Sequence, residues 1–158
     1  KNLEDTRKSS ATDATKSELL KKAVSNASCD QSKLPVWLVS ENASDYMSSV
    51  ESFASQYGMT MDQYLQAIGS TQEDFEKEAV AYGEELGKQQ LVVRAIAKAE
   101  KIELSANALE QNYKTFAAQY GTDVDTLKKS VSEETMKDYL LTLKVRDFLY
   151  DNAKITKQ

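Results

Sequence analysis

A six-residue word occurs twice in this chain, as Phe53-Ala-Ser-Gln-Tyr-Gly58 and, sixty-three residues later, as Phe116-Ala-Ala-Gln-Tyr-Gly121. Five of the six positions are identical, and Asp62 and Asp125 keep the same register downstream. In each copy an apolar-periodic stretch runs into the word, glycine stops it, a short periodic segment follows, and a serine precedes a longer one. This is a long–short–long helical unit used twice, and such a unit leaves an apolar stripe that needs a partner. The copies can pack on each other, or project as arms that each bury part of their stripe. Little else in the chain opposes helix: its 158 residues include one proline, Pro35, and five glycines.

Periodicity predicts helices over 3–28, from Pro35 to Gln56 or Tyr57, from Thr60 to Gly69, over 71–101, from Ser105 to Tyr120, over about 123–130, and from Ser132 to near Tyr150. Thr60 with Gln63 and Ser70 with Glu73 have capping-box spacing. On the second helix, Trp37, Ala43, Tyr46, Met47, Val50, Phe53 and Tyr57 are expected to face inward, and Phe53, Leu65 and Phe75 read as core. Gly83 and Gly87 interrupt the long helical pattern, where they predict close approach of a neighbouring helix. The fold class is all-α. The expected organisation is one helical domain over 1–158: a leading helix and connector (1–34), a first repeat unit (35–102) and a second (103–158). The chain opens without methionine, as an excised fragment would, and no signal peptide or membrane-length apolar stretch is visible.

The formal charge of −5 is unevenly placed. Val36 to Glu85 holds ten acids and one base, Lys77, a net of −9, while the flanking segments each carry +2. Phosphate recognition needs concentrated basic surface, so nucleic acid is not an expected partner. Catalytic chemistry is equally poorly supplied. There is no histidine, which removes the usual general base near neutral pH and most zinc sites. The single cysteine, Cys29, fits a reducing compartment and reads as a small filler residue. Asp123 and Asp125 have part of a calcium-loop spacing without the rest of it, and read as helix-capping acids. No cofactor or metal is expected.

What remains is apolar contact surface. Met47, Met59 and Met61 lie near the first Tyr-Gly stop, close in sequence to Phe53, Tyr57, Tyr64 and Ile68. Flexible thioethers beside aromatic rings adapt to varied apolar ligands. For Met59 and Met61, core and exposed placements are equally open. The second stop is followed instead by Thr122, Val124, Leu127, Lys128 and Lys129, so the two turns should offer different surfaces.

Four segments carry a family resemblance: Glu18-Leu-Leu-Lys-Lys-Ala-Val-Ser-Asn-Ala-Ser28, Leu34-Pro-Val-Trp-Leu-Val39, Gln90-Leu-Val-Val-Arg-Ala-Ile-Ala-Lys-Ala-Glu-Lys-Ile-Glu-Leu-Ser105 and Val145-Arg-Asp-Phe-Leu-Tyr-Asp-Asn-Ala-Lys-Ile155. In order and spacing they resemble the C-terminal domain of the bacterial trigger factors. The resemblance implies a multi-helical body with projecting helical arms, a SurA-like peptide-binding fold. It also implies an ATP-independent chaperone of the cytoplasm, with unfolded or nascent polypeptides as partners. Full-length members usually add a ribosome-binding domain and a peptidyl-prolyl isomerase domain, neither matched by residues here. Ribosome contact and isomerase activity are therefore expected only of a longer parent; no membrane partner is implied, and a homodimer is allowed. The residues expected to contact polypeptide are Met47, Val50, Phe53, Tyr57, Met59, Met61, Tyr64 and Ile68, with Met136, Tyr139 and Leu143. A structural or oligomerisation module, or the helical domain of an extracytoplasmic foldase, are the alternatives.

Overall fold

The computed structural model describes residues 2–30, 33–105 and 107–154. Residues 31 and 32 of the expected connector, and Ile155 at the end of the last quoted segment, lie outside the described residues. The helices are α1 (Asn2–Asn26), α2 (Val36–Gln56), α3 (Met61–Ile68), α4 (Gln72–Ala99), α5 (Ala108–Tyr120), α6 (Val124–Ser130) and α7 (Glu133–Asn152). The described residues contain no strand, and the all-α class holds.

Side-chain chemistry sets the helix ends. Thr60 Oγ1 accepts from the Gln63 amide at 3.3 Å while Gln63 Oε1 accepts from the Thr60 amide at 2.9 Å, completing the expected box at α3. Asp123 and Ser132 cap α6 and α7, each accepting from the backbone amide three residues on. Two expected starts move. Thr71, not Ser70, caps α4: its hydroxyl accepts from the Asp74 amide at 3.1 Å and donates to the Asp74 carboxylate at 2.7 Å. Both pairs have the three-residue spacing, and a charge-assisted bond decides for Thr71. Helix α5 begins at Ala108 behind Asn107 with no side-chain cap; Ser105 contributes its carbonyl, which accepts from the Ala108 amide at 2.9 Å.

The helices gather into two compact units. One is Ser28–Leu91, holding α2, α3 and α4 as far as Leu91. The other combines Lys1–Ala27 with Val92–Gln158, and so holds α1, the end of α4, α5, α6 and α7.

Within Ser28–Leu91, the buried apolar residues are Leu34, Leu38, Ala43, Ala54, Leu65, Phe75 and Ala79. Helices α2 and α4 approach backbone to backbone, as the glycines predict. A Cβ on Gly83 would overlap the Val39 carbonyl oxygen and sit 3.3 Å from Ala43 Cβ. Asn42 is buried at this crossing, where its amide donates to Gln90 Oε1 at 2.9 Å. Beside it, Tyr46 stacks on Tyr82 with ring centroids 4.7 Å apart and donates to Glu78 at 2.8 Å. That hydrogen bond, with burial adding to it, pushes the Tyr46 phenol up to about 12.

The inward face of α2 is not quite the expected one. Its buried positions include Leu38, Asn42, Ala43 and Ala54, whereas Trp37, Phe53 and Tyr57 are exposed. Trp37 and Phe53 each precede a buried residue by one position, a rotation of about 100° round a helix.

In the other unit, Leu20 of α1, Val93 and Ala97 of α4, and Val145 of α7 form one core, widened by Val24, Ile96, Ile102, Leu141 and Leu149. Tyr113, Met136 and Leu140 form a second, packed by residues of α5, α6 and α7 including Phe116, Val124 and Leu127. Each fully buried branched side chain stabilises by about 1.5–3 kcal/mol. Arg94 adds a forked pair to Asp138, at 3.0 and 2.6 Å, and reaches Glu134 at 3.1 Å.

Candidate functional site

The repeated word folds the same way twice. At its first occurrence Gly58 adopts φ +70°, its amide bonds to the Ser55 carbonyl at 3.0 Å, and the Met59 amide reaches back to the Ala54 carbonyl at 3.0 Å. At its second, Gly121 adopts φ +65°, its amide bonds to the Ala118 carbonyl at 3.4 Å, and the Thr122 amide reaches the Ala117 carbonyl at 2.9 Å. The left-handed glycine lets the last carbonyls of each long helix find donors while the chain turns away. Ala54 and Ala117, the small residue inside each word, are both buried.

The side chains around the two corners diverge. At the α2–α3 corner, Phe53, Tyr57, Met59, Tyr64 and Ile68, with Ala54 and Ala67, line an open groove of about 240 Å³. Phe53 lies 4.9 Å from Tyr57, centroid to centroid, and meets the edge of Tyr64 at 6.1 Å. Phe53 is 47% exposed and Met59 40%, which settles both as surface residues, against the core expectation for Phe53. Gly58 and the Thr60 box hold Met59 between them, so its side chain is placed by two fixed helix ends. On another face of α2, Ser48, Glu51, Ser52, Ser55 and Gln56 border an open hollow.

The other expected contact residues are distributed differently. Met47, Val50 and Met61 are half-buried and do not line the groove. Tyr139 is exposed and meets Phe116 edge-on at 5.6 Å, and Leu143 is half-buried. Met136 departs from the expected surface placement: it is 4% exposed and sits in the core with Tyr113 and Leu140. Counting from the caps gives the physical reason. Met136 stands four residues after its N-cap Ser132 as Phe75 stands four after Thr71, and both amides bond to the cap carbonyl at 3.0 Å. Phe75 is buried too, so this is a core position in both copies. Sequence reading missed Ala54 and Ala67 in the groove lining, although the alanine shared by both words marked the first of them.

The groove offers contact area and no cluster of reactive groups. No group of acids and cysteine arranged to hold a metal ion occurs among the described residues, and none of their helices is long and apolar enough to cross a membrane. Fold and site together define a class: an all-helical domain that displays an apolar groove where a long helix turns into a short one.

Comparison with known proteins narrows the class. The family described as the C-terminus of bacterial trigger factor protein matches residues 1–151. The chain belongs to that family. It is 32% identical to the trigger factor of Caldicellulosiruptor bescii over 143 residues, covering 89% of this chain and 32% of that protein. Against the trigger factor of Streptococcus sanguinis it is 30% identical over 155 residues, covering 98% and 36%. For Leuconostoc citreum trigger factor the figures are 29% over 154 residues, 98% and 36%. The chain thus spans about a third of the length of these curated relatives. No solved structure matches it.

Proposed function

We propose that this chain is a polypeptide-binding chaperone domain that holds unfolded or nascent segments without nucleotide. The observation that carries this reading is the groove of Phe53, Tyr57, Met59, Tyr64 and Ile68, apolar and open at a helix corner. A closed structural module would bury these groups in its own core; exposed, they are available to apolar side chains of another polypeptide. A methionine among aromatic rings tolerates many side-chain shapes, as binding of unrelated unfolded segments requires. The serines and Gln56 on the neighbouring face of α2 supply donors and acceptors for a client backbone. Membership of the trigger factor family supports the same reading.

The test is suppression of aggregation of a chemically denatured reporter by the 158-residue chain. Suppression at several-fold molar excess, without added nucleotide and weakened in the Ile68→Ser variant, is the expected result. A reporter that aggregates at the same rate with or without the chain overturns the reading.

A further inference from the structure

Four methionines are present, at 47, 59, 61 and 136, and their environments are graded. Met59 lies between two helices, 40% exposed, in the lining of the apolar groove. Met47 and Met61 are half-buried outside that lining, and Met136 is enclosed in a core. A thioether reacts with a hydroperoxide in proportion to its accessibility. The groove's other side chains are phenylalanine, alanine, isoleucine and tyrosine, so it contains no amide or charged side chain suited to hold a strong new dipole.

We propose that Met59 is an oxidation site through which hydroperoxides turn the groove off. The Met59 sulfur attacks one peroxide oxygen; an S–O bond forms, the O–O bond breaks, and the departing oxygen leaves, after proton transfer, as water from hydrogen peroxide or as the alcohol from an organic hydroperoxide. The sulfur loses two electrons and the peroxide gains them, giving a methionine sulfoxide. Its oxygen is a strong acceptor in a groove whose walls present only apolar atoms, the Tyr57 and Tyr64 rings among them, so an incoming apolar side chain must strip its hydration without replacing it. Contact that cost little against the thioether becomes unfavourable. The change is local, because Met59 lies outside both capping pairs and its side chain is not part of the buried interior. Reduction by a thiol-driven sulfoxide reductase reverses it: two thiols become a disulfide and the sulfoxide oxygen leaves as water. The inference rests on the groove being the client surface, and the experiment separates the two claims.

The 158-residue chain is treated with graded hydrogen peroxide. Sulfoxide at each methionine is quantified by peptide mass spectrometry, and affinity for reduced, carboxymethylated α-lactalbumin is measured in parallel. Met59 oxidises first and Met136 last, and affinity falls about tenfold, the loss that about 1.4 kcal/mol represents, with unchanged helical circular dichroism. Met59→Leu, whatever its starting affinity, keeps that affinity through the same treatment; Met59→Gln binds weakly without peroxide. If Met59 is fully oxidised and affinity holds, or if Met59→Leu loses affinity as the parent does, the switch is overturned. Ile68→Ser in unoxidised protein tests the groove alone: unchanged affinity there defeats the client-surface reading and the switch with it. Weakened binding of Ile68→Ser beside a peroxide-insensitive parent defeats only the switch.

Discussion

The two corners share a backbone and differ in how they are closed. Residues sixty-three apart compare directly: Val50 with Tyr113, Met47 with Glu110, Leu65 with Lys128 and Ile68 with Val131. At the second corner Tyr113 is 3% exposed, and its hydroxyl donates to the Val131 carbonyl at 2.8 Å. Lys128 lies over the Tyr113 ring at 5.4 Å and pairs with Glu110 at 2.9 Å. A side chain on α5 is thereby fastened to the segment after α6, and a charge pair spans the two helices. At the first corner the corresponding positions are valine, isoleucine, methionine and leucine, which can make neither a hydroxyl bond nor an ion pair. One copy is tied shut by polar groups; the other keeps an apolar groove open. A duplicated turn can thus be closed by polar ties in one place and leave apolar surface exposed in another without changing its backbone.

The largest expected effect falls on Tyr113. Replacing it with alanine removes a buried aromatic ring and its bond to Val131, and should cost about 3–5 kcal/mol, as truncations of core aromatics do. Val50→Ala, at the matching position of the open corner, removes a half-buried branched group. It should cost about 1 kcal/mol or less. Urea unfolding of the two variants measures the contrast, and equal losses would mean that the corners are closed alike.

Methionines give the next contrast. Met136→Ala should destabilise by about 2–5 kcal/mol, because a core methionine leaves a cavity. Met59→Ser should change stability by less than about 1 kcal/mol, the usual range at exposed sites, while weakening reporter binding. Paired unfolding and binding measurements check both halves. A stability loss at Met59 as large as that at Met136 would place the groove in the core and remove the difference between the corners.

Much of this was readable before the structure. Helix ends were legible wherever one residue had a single cap partner, as at Thr60, Asp123 and Ser132, and ambiguous where Ser70 and Thr71 competed. Burial was less legible. Periodicity identifies an apolar stripe without saying how wide a neighbour covers it, which is why Trp37, Phe53 and Tyr57 were expected inside. Met136 was misplaced for a different reason: the copies are offset by sixty-three residues at the words but by sixty-one at the caps Thr71 and Ser132. Following the caps would have aligned Met136 with Phe75 and placed it in the core. Ala54 was legible in principle, since both words retain it, yet a small residue gives no periodic signal of its own.

A smaller effect isolates the hydroxyl that closes the second corner. Tyr113→Phe keeps the ring and removes only the donor to Val131, so about 1 kcal/mol should be lost. Hydrogen exchange of the α6–α7 connection should quicken with it. Val50→Thr at the first corner should produce no protection there, since no hydroxyl bond joins the matching positions. Protection unchanged in Tyr113→Phe would show that ring packing alone holds the corner shut.

The smallest effect is electrostatic and belongs to the second corner alone. Lys128 holds the Glu110 carboxyl below its ordinary 4.5, first through their hydrogen bond and then through charge attraction, with Lys114 adding to it. The same hydrogen bond raises Lys128 above its ordinary 10.5. A depressed carboxyl contributes stability that is present above its unfolded value and lost as pH falls through its lower folded one. A raised lysine contributes stability present below 10.5 and lost as pH rises through its higher folded value. The pair therefore supports the second corner across the neutral range and weakens at both ends. Both groups are solvent-accessible, so salt should shrink the contribution further. Thermal midpoints of the parent and of a Glu110→Gln/Lys128→Gln double variant, followed from neutral pH into acid at low and high salt, give the measurement. The small advantage of the parent should fade below pH 4.5 and at high salt. Met47 and Leu65, which occupy the matching positions of the first corner, do not titrate. Leu65 is moreover 4% exposed and part of its unit's interior, so the first corner is closed at this position by apolar packing, and a lysine there would destabilise the fold rather than supply an ion pair.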